Sequence, residues 1–570
     1  MNAQTPDNPS PSLSSGSPLD PFDIIGSSLA VQQAWLREPE RLAASLQGLA
    51  LEAHRVHDHF ARSSLGIPSE PAIPAVIHDQ RFQDPAWIDH PGFTYLKEIY
   101  LLYGRWLEDT IYTTEGIEPT RRRRAAFWVR QWLDAIAPTN FFWTNPEALR
   151  RAIASHGYSI LWGLQHWLRD ASAGEVVRMV EPDAFQLGRD LATTPGRVVL
   201  RNELLELIQY APSTDRVRAM PIVLVPPWIN KYYIMDLSPA NSLVRYLIDR
   251  GFTVFATSWK NPGPESRAMT LEDYLLRGVR PALEAARAIG GVPRVHAAGY
   301  CLGGTALAML LAWFAAGTDD DRAANPGAHW SALTTLVDFS DPGEIGAFLS
   351  ESSFEFLKQR MDRAGYLDGA NMANAFRLLR PNNLIWHYVI HSYLYGEELP
   401  PSDVLFWNCD TTRMPAAMHE FYLRELYLNN RLVQGNLDIG GRRLDLGAIT
   451  QPLYAVGAEQ DHIAPWQQTF RLCGLIGGPA RYVLATSGHI LGIINPPVTP
   501  PKRRYWVGDV TGPCDAAAWR ESTEKASGSW WEDWVGWLRE RCGPLEPPPP
   551  LGNSQYPPLE AAPGRYVLEK

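Results

Sequence analysis

Residues Gly299-Tyr300-Cys301-Leu302-Gly303-Gly304 place one cysteine between glycines, where one apolar run ends and another begins. A nucleophile at a sharp strand-to-helix turn, flanked by small residues, is the nucleophile-elbow pattern, here with cysteine in place of serine. The small neighbours let strand and helix close on each other. The amide after the nucleophile, on Leu302, then points into an oxyanion hole at the helix N-terminus. Such an elbow needs an acid and then a base later in the chain. Asp461 in "EQDHIAPW" and His489 in "SGHILGIINPP" supply them in that order, each just past an apolar run. His462, beside Asp461, is a further polar candidate. Each residue has a plainer reading: Cys301 as a buried inert thiol, Asp461 as the cap of a helix starting near Pro465, and His489 as a loop histidine. A thiolate paired with imidazole is strongly nucleophilic near neutral pH. Exchange between two thioesters is close to thermoneutral, so cysteine suits reversible acyl transfer from a thioester donor.

The elements that must position these groups can be read around them. From about residue 195, short apolar, β-branched runs alternate with longer helical ones. Strands are predicted at 220–228, 252–259, 332–339, 452–458 and 480–486. Helices are predicted at 242–251 and 271–290, the second with a kink at Pro281. This alternation predicts a parallel sheet covered by helices on both faces. With the elbow, the expected fold is an α/β-hydrolase-type, mostly parallel sheet. The 110 or so residues between Phe339 and Pro452 are too many for one crossover, so about 340–450 is read as an inserted helical cap. Before the sheet, 21–190 reads as a mainly helical domain, with a loop at "PTNFFWTNPEAL" and a helix starting near Asn145-Pro146. The expected order is therefore a disordered tail over 1–20, a helical domain over 21–190, a catalytic domain over 191–542 and a Pro-rich extended segment over 543–570.

Composition excludes several classes. Net charge is −10, so no global basic field suits nucleic acid. Arg121–Arg124 is a local basic run, read as a solvated helix face. The five cysteines show neither paired nor metal-type spacing and fit a reducing cytoplasm, with no metal expected. The first 20 residues lack the apolar core of a secretory signal. "TALAMLLAWFAAG" has 13 residues, short of the roughly 18 that a membrane span needs. The 21 tryptophans imply large apolar surfaces, in the core or facing an apolar partner.

From about residue 80 to the C-terminus the chain resembles the class I polyhydroxyalkanoate synthases. The blocks that carry the resemblance are "PTNFFWTNPEAL", "VPPWINKYYIMDLSPANSLVRYLIDRGFTVFATSWKNP", "GYCLGG", "VLFWNCDTTRMP", "VGAEQDHIAPW", "SGHILGIINPP" and "GSWWEDWVGWL". The resemblance implies that Cys301 carries the growing chain, that Asp461 and His489 complete the triad, and that the amides of Leu302 and Ile234 form the oxyanion hole. It also places Leu491, Trp407 and His462 at the substrate. Leu491 stands where class I members often have a smaller residue, which bears on monomer range. Trp228 stands where some members have Cys, and the segment before Asp445 lacks a cysteine that some carry.

The implied reaction takes (R)-3-hydroxyacyl-CoA, chiefly the 3-hydroxybutyryl thioester, releases CoA and builds a polyester, with no cofactor. The implied setting is a cytoplasmic homodimer at the surface of polyester granules, with granule-associated proteins as further partners and neither nucleic acid nor a membrane span. Two rivals stand beside it. One is a thioesterase or small-molecule acyltransferase of the same fold, which the triad alone does not exclude. The other is a non-catalytic granule-coating protein, which would need neither elbow nor triad.

Overall fold

The computed structural model describes residues 20–73, 79–512 and 515–570. The tail expected to be disordered lies outside the described residues, apart from Asp20. The chain divides into two units. One is the chain up to Val180 with Gly346–Phe356 and Asn374–Pro400; the other is Glu181–Ile345, Leu357–Ala373 and Pro401–Lys570.

The first unit is helical: α1 (Ile24–Arg37), α2 (Pro39–Ser64), α3 (Pro91–Tyr112), α4 (Pro119–Ala135), α5 (Pro146–Ala154) and α6 (Tyr158–Ser172). Pro39, Pro91, Pro119 and Pro146 each open a helix, where a missing N–H leaves nothing unpaired. The Asn145 side chain accepts the Ala148 N–H at 3.0 Å, the cap that the Asn-Pro pair predicts. The basic run differs from its expected solvated face. Arg124 is buried; it pairs with Asp23 at 2.8 Å and donates to the carbonyls of Ala347 (3.1 Å) and Leu349 (2.6 Å). One guanidinium thus ties three segments of this unit, which its fork of five donors allows.

The second unit is built on one ten-stranded sheet. Its strands are β1 (Gly196–Arg201), β2 (Leu205–Tyr210), β3 (Ile222–Val225), β4 (Val254–Trp259), β5 (Val295–Tyr300), β6 (Gly327–Leu333), β7 (Leu453–Ala458), β8 (Ala480–Ala485), β9 (Arg504–Val510) and β10 (Lys525–Ser527). They lie in the order β1-β2-β4-β3-β5-β6-β7-β8-β9-β10. From β4 through β8 all neighbours are parallel, and the outer pairs at both edges are antiparallel. This is the α/β-hydrolase-type sheet expected. β3, β4, β5 and β7 are buried along their whole length, as parallel strands covered on both faces must be.

One strand is displaced from its expected place. β6 runs over Gly327–Leu333 rather than 332–339, and Thr334 turns out of it with a φ of 45°. Its polar residues hid it, because their partners lie far away in sequence. The Ser331 hydroxyl accepts the Trp534 indole N–H at 2.9 Å and lies 3.1 Å from His296 Nε2. His296 and His329 then face each other through Nδ1 at 2.6 Å. Burial holds His296 well below the ordinary imidazole range and His329 at about 4, so the pair is uncharged at neutral pH. The 271–290 region is helical in three pieces, with a π turn over Tyr274–Val279 placed just before Pro281. That wider turn accommodates the proline. The Pro-rich segment runs back along β1, exchanging Val198 N–H to Glu560 C=O at 3.0 Å and Leu559 N–H to Val198 C=O at 2.7 Å.

Two helices matter for the site: α7 (Leu302–Ala315), which follows β5, and α8 (Trp530–Arg541). α7 is buried from Leu302 to Phe314, which explains its uniformly apolar sequence. α8 buries Trp530, Trp531 and Trp534 completely. Trp534→Ala should destabilise the protein by about 3–5 kcal/mol, read as a lowered denaturant midpoint, with a smaller drop for Trp534→Phe. A loss below about 1 kcal/mol for the alanine variant would contradict this packing.

Candidate active site

The turn between β5 and α7 is the tightest place in the second unit. Cys301 sits at φ 52° and ψ −120°, a strained setting for a residue with a side chain. Its N–H donates to Leu333 C=O at 2.8 Å, and its C=O accepts from Gly304 N–H at 3.0 Å and Thr335 Oγ1 at 3.3 Å. The glycines are steric requirements. A Cβ on Gly299 would lie 2.3 Å from Gly304 N, one on Gly303 1.8 Å from Val225 O, and one on Gly304 1.9 Å from Thr335 Oγ1. The third glycine of "GYCLGG" was therefore as informative as the two flanking the cysteine.

Asp461 and His489 follow the C-terminal ends of β7 and β8. Parallel strand order makes these two ends neighbours, although 28 residues separate the groups. Asp461 Oδ2 accepts from His489 Nδ1 at 2.7 Å, and both residues are buried. Asp461 Oδ1 accepts the N–H groups of Ile463 and Ala464, both at 2.8 Å. The carboxylate therefore does two things at once: one oxygen shapes the turn ahead of Trp466–Leu475 and the other holds the imidazole. Nδ1 being engaged leaves Nε2 as the ring nitrogen not held by Asp461, and Cys301 lies close enough to act electrostatically on the imidazole. Burial opposes a charge on His489, but Asp461 and Cys301 outweigh it and push its pKa up to about 10.

The loop carrying His489 is held from below by α8. The Trp530 indole donates to Gly492 C=O at 2.9 Å and the Trp531 indole to Ile493 C=O at 2.8 Å. Ser529 Oγ donates to Asn495 C=O. Sequence reasoning did not assign these residues a role; the tandem Trp-Trp was the signal.

The remaining candidates separate. Leu302 opens α7 directly after Cys301. Ile234 is buried in the short turn Tyr232–Met235. Trp407 is buried, donates its indole N–H to Lys231 C=O at 2.7 Å, and shares a core cluster with Ile234, so it braces that turn. His462 is partly buried beside Asp461. Leu491 is 43% exposed, so its side chain stands outside the core. Among the described residues no group of three or more His, Cys, Asp or Glu could hold a metal ion, and no helix is long and apolar enough to cross a membrane.

Comparison with known proteins assigns the family. The family described as "Poly-beta-hydroxybutyrate polymerase (PhaC) N-terminus" matches residues 78–247. A poly(3-hydroxyalkanoate) polymerase of Methylorubrum extorquens is 40% identical over 545 residues, 95% of this chain and 89% of that protein. The chain belongs to the poly(3-hydroxyalkanoate) polymerase family. Another member, from Cupriavidus necator, is 40% identical over 501 residues, 87% of this chain and 84% of that one. Polymerase 1 of Ectopseudomonas oleovorans is 37% identical over 551 residues, 96% and 95% of the two chains. Among solved structures, a thioesterase domain from the curacin biosynthetic pathway is 12% identical with a TM-score of 0.29, covering 53% of this chain and 95% of that one. A likeness so slight carries no argument, and the fold rests on the sheet order itself.

The raised pKa of His489 makes a stability prediction. Its charged form is favoured on folding, so the stabilisation is complete below the ordinary value of 6.5 and is lost as pH rises through about 10. Unfolding free energy should therefore fall across that interval in the wild type and fall less steeply in Asp461→Asn. Parallel curves from denaturant titrations at each pH would contradict the assigned coupling.

Proposed function

We propose that the chain polymerises (R)-3-hydroxyacyl-CoA, chiefly the 3-hydroxybutyryl thioester, into polyhydroxyalkanoate polyester through an acyl thioester on Cys301. The observation that carries this reading is a cysteine on a strained elbow, within electrostatic reach of an imidazole that Asp461 holds at 2.7 Å. The Cys301 proton passes to His489 ahead of the attack, leaving an imidazolium held by Asp461, and the thiolate then attacks the thioester carbonyl. The amides of Leu302 and Ile234 hold the developing oxyanion. The carbon–sulfur bond to CoA breaks, and CoA leaves as the thiol with the proton from His489. The 3-hydroxyl of another acyl unit, deprotonated by His489 or Asp461, then attacks the acyl-enzyme, and one ester forms as one thioester breaks. Hydrolysis would end the chain, so water must be kept from the thioester. We assign that shielding to the Trp, Tyr and Phe residues of 401–450, which belong to the same unit as Cys301.

The first unit suits attachment to an apolar polyester surface. α6 has an inverted pattern: Ser159, Gly163, His166 and Asp170 are buried, while Leu161, Trp162, Trp167 and Leu168 are exposed. Gly163 allows the burial, because a Cβ there would lie 1.9 Å from Tyr393 O. An apolar face of this kind turned outward marks an interaction surface. We assign it to the polyester granule, with dimer formation and granule-associated proteins as further roles of the same unit.

Cys301→Ala should abolish CoA release from 3-hydroxybutyryl-CoA while leaving the melting temperature near that of the wild type, and His489→Gln should be nearly as damaging. Wild-type turnover in Cys301→Ala would overturn the acyl-cysteine reading, and CoA release without polymer in the wild type would favour a thioesterase.

Leu491, two residues beyond His489, is proposed to border the acyl site. Leu491→Ala should widen the range towards longer side chains, changing the ratio of kcat/KM for C4 and C6 substrates by about tenfold. An unchanged ratio would remove Leu491 from the acyl site.

A further inference from the structure

Beside the elbow lies a group of aromatic side chains that the acyl-transfer scheme leaves unused. Trp228 comes three residues after the end of β3, whose last carbonyl, Val225 C=O, is the one packed against Gly303. The loop between is fixed from behind: the Trp259 indole donates to Pro226 C=O at 2.9 Å, and the Trp259 ring stacks on Tyr274 at 5.0 Å. Trp228 is 1% exposed, and its ring lies 5.8 Å from Tyr274 and 6.0 Å from Tyr422. Its indole N–H has no acceptor among the described residues. An indole N–H is a donor only, and leaving one buried and unpaired is costly.

Tyr422 opens a π turn over Tyr422–Leu428, a wide turn of the kind found at functional sites. Its hydroxyl donates to the Tyr427 hydroxyl at 3.2 Å, and the Tyr427 ring packs on Phe339 at 4.7 Å. Removal from water pushes both hydroxyls above the ordinary tyrosine value, and the nearby Cys301 sulfur adds to the shift in each. Both therefore stay protonated and act as donors, within electrostatic reach of the nucleophile. Tyr422 uses its proton on Tyr427, which leaves the Tyr427 proton over, and accepting one hydrogen bond strengthens a hydroxyl as a donor.

Among the described residues this aromatic group thus holds two spare donors, the Trp228 indole N–H and the Tyr427 O–H, and no charged side chain of its own. The complement is an uncharged oxygen with free lone pairs. The unit carried on Cys301 has one such oxygen near its thioester, at C3: a hydroxyl in the first unit and an ester oxygen once the chain grows. We propose that Trp228 and Tyr427 form a subsite for the C3 oxygen of the Cys301-bound acyl unit, selecting 3-oxygenated acyl thioesters over plain ones.

The inference rests on the acyl-cysteine reading, and the experiment separates the two. Single-turnover acylation of Cys301 in the full chain is followed by intact-protein mass spectrometry, with (R)-3-hydroxybutyryl-CoA and butyryl-CoA as donors. Butyryl-CoA has the same carbon chain without the C3 oxygen. In the wild type the hydroxylated donor should react faster. In Trp228→Phe, which keeps an aromatic ring and removes the N–H, the ratio of the two rates should fall about tenfold, the worth of one neutral hydrogen bond. Tyr427→Phe should lower it similarly and carries the same readout should Trp228→Phe fail to fold. A merely structural role would slow both donors alike and leave the ratio unchanged, and an unchanged ratio in both variants would overturn the subsite. Absence of acylation by either donor in the wild type would instead overturn the acyl-cysteine reading, and the subsite with it.

Discussion

The second unit depends on one strained residue. Cys301 holds a positive φ between β5 and α7, a conformation that costs of order 1–3 kcal/mol and persists only where its surroundings dictate it. Here they do. Gly299, Gly303 and Gly304 remove three collisions, with Gly304 N, Val225 O and Thr335 Oγ1. The peptide of Cys301 is bonded on both sides, to Leu333 C=O and from Gly304 N–H. The arrangement sets the sulfur at the C-terminal edge of the central strands, where β7 and β8 also end. A bulkier residue at any of the three glycines would move α7 away from β3 or from the turn after β6, and Cys301 with it.

Charge is managed by the same neighbourhood. A buried imidazolium is costly alone, yet Asp461 faces it at 2.7 Å and is itself satisfied by two backbone N–H groups. A buried carboxylate with its lone pairs filled can hold a counter-charge without leaving an unpaired group. The position of the imidazole depends on a loop, and loops are the mobile part of most folds. This one is pinned by two indole N–H donors from α8. Trp530 and Trp531 are thus both core residues and supports for the loop that carries His489. The buried pair His296 and His329, on β5 and β6, is kept neutral by burial and reaches α8 through Ser331 and Trp534.

The apolar face of α6 and the polar face it buries reverse the usual rule for a helix at a protein surface. Such a pattern is sustained by pairing the polar groups inside, which holds for Asp170 and His166, while the Ser159 hydroxyl has no partner among the described residues. Asp170 accepts the Arg178 N–H at 2.9 Å and the Tyr393 hydroxyl at 2.9 Å, and His166 Nδ1 lies 3.2 Å from Ser392 C=O. The cost of burying those groups is thereby offset, and the large side chains are left facing outward.

By itself the sequence determined what local rules control. The elbow glycines, the order of Cys301, Asp461 and His489, the Asn145 cap and the parallel strands with continuous apolar runs are all local statements. The resemblance to a polymerase family was likewise legible in contiguous blocks. Tertiary structure decided what depends on partners far along the chain. β6 was misplaced because His329 and Ser331 look like loop residues until His296 and Trp534 are opposite them. Arg124 looked solvated until Asp23, Ala347 and Leu349 surrounded it. The Trp407 indole finds its acceptor in Lys231 C=O, 176 residues away, and the tandem Trp530-Trp531 acquires its role only when α8 lies under the His489 loop. The reason is common to all four. A side chain's intrinsic chemistry is written in its residue type, but whether a polar group is solvated, paired or left over is set by which distant backbone packs against it.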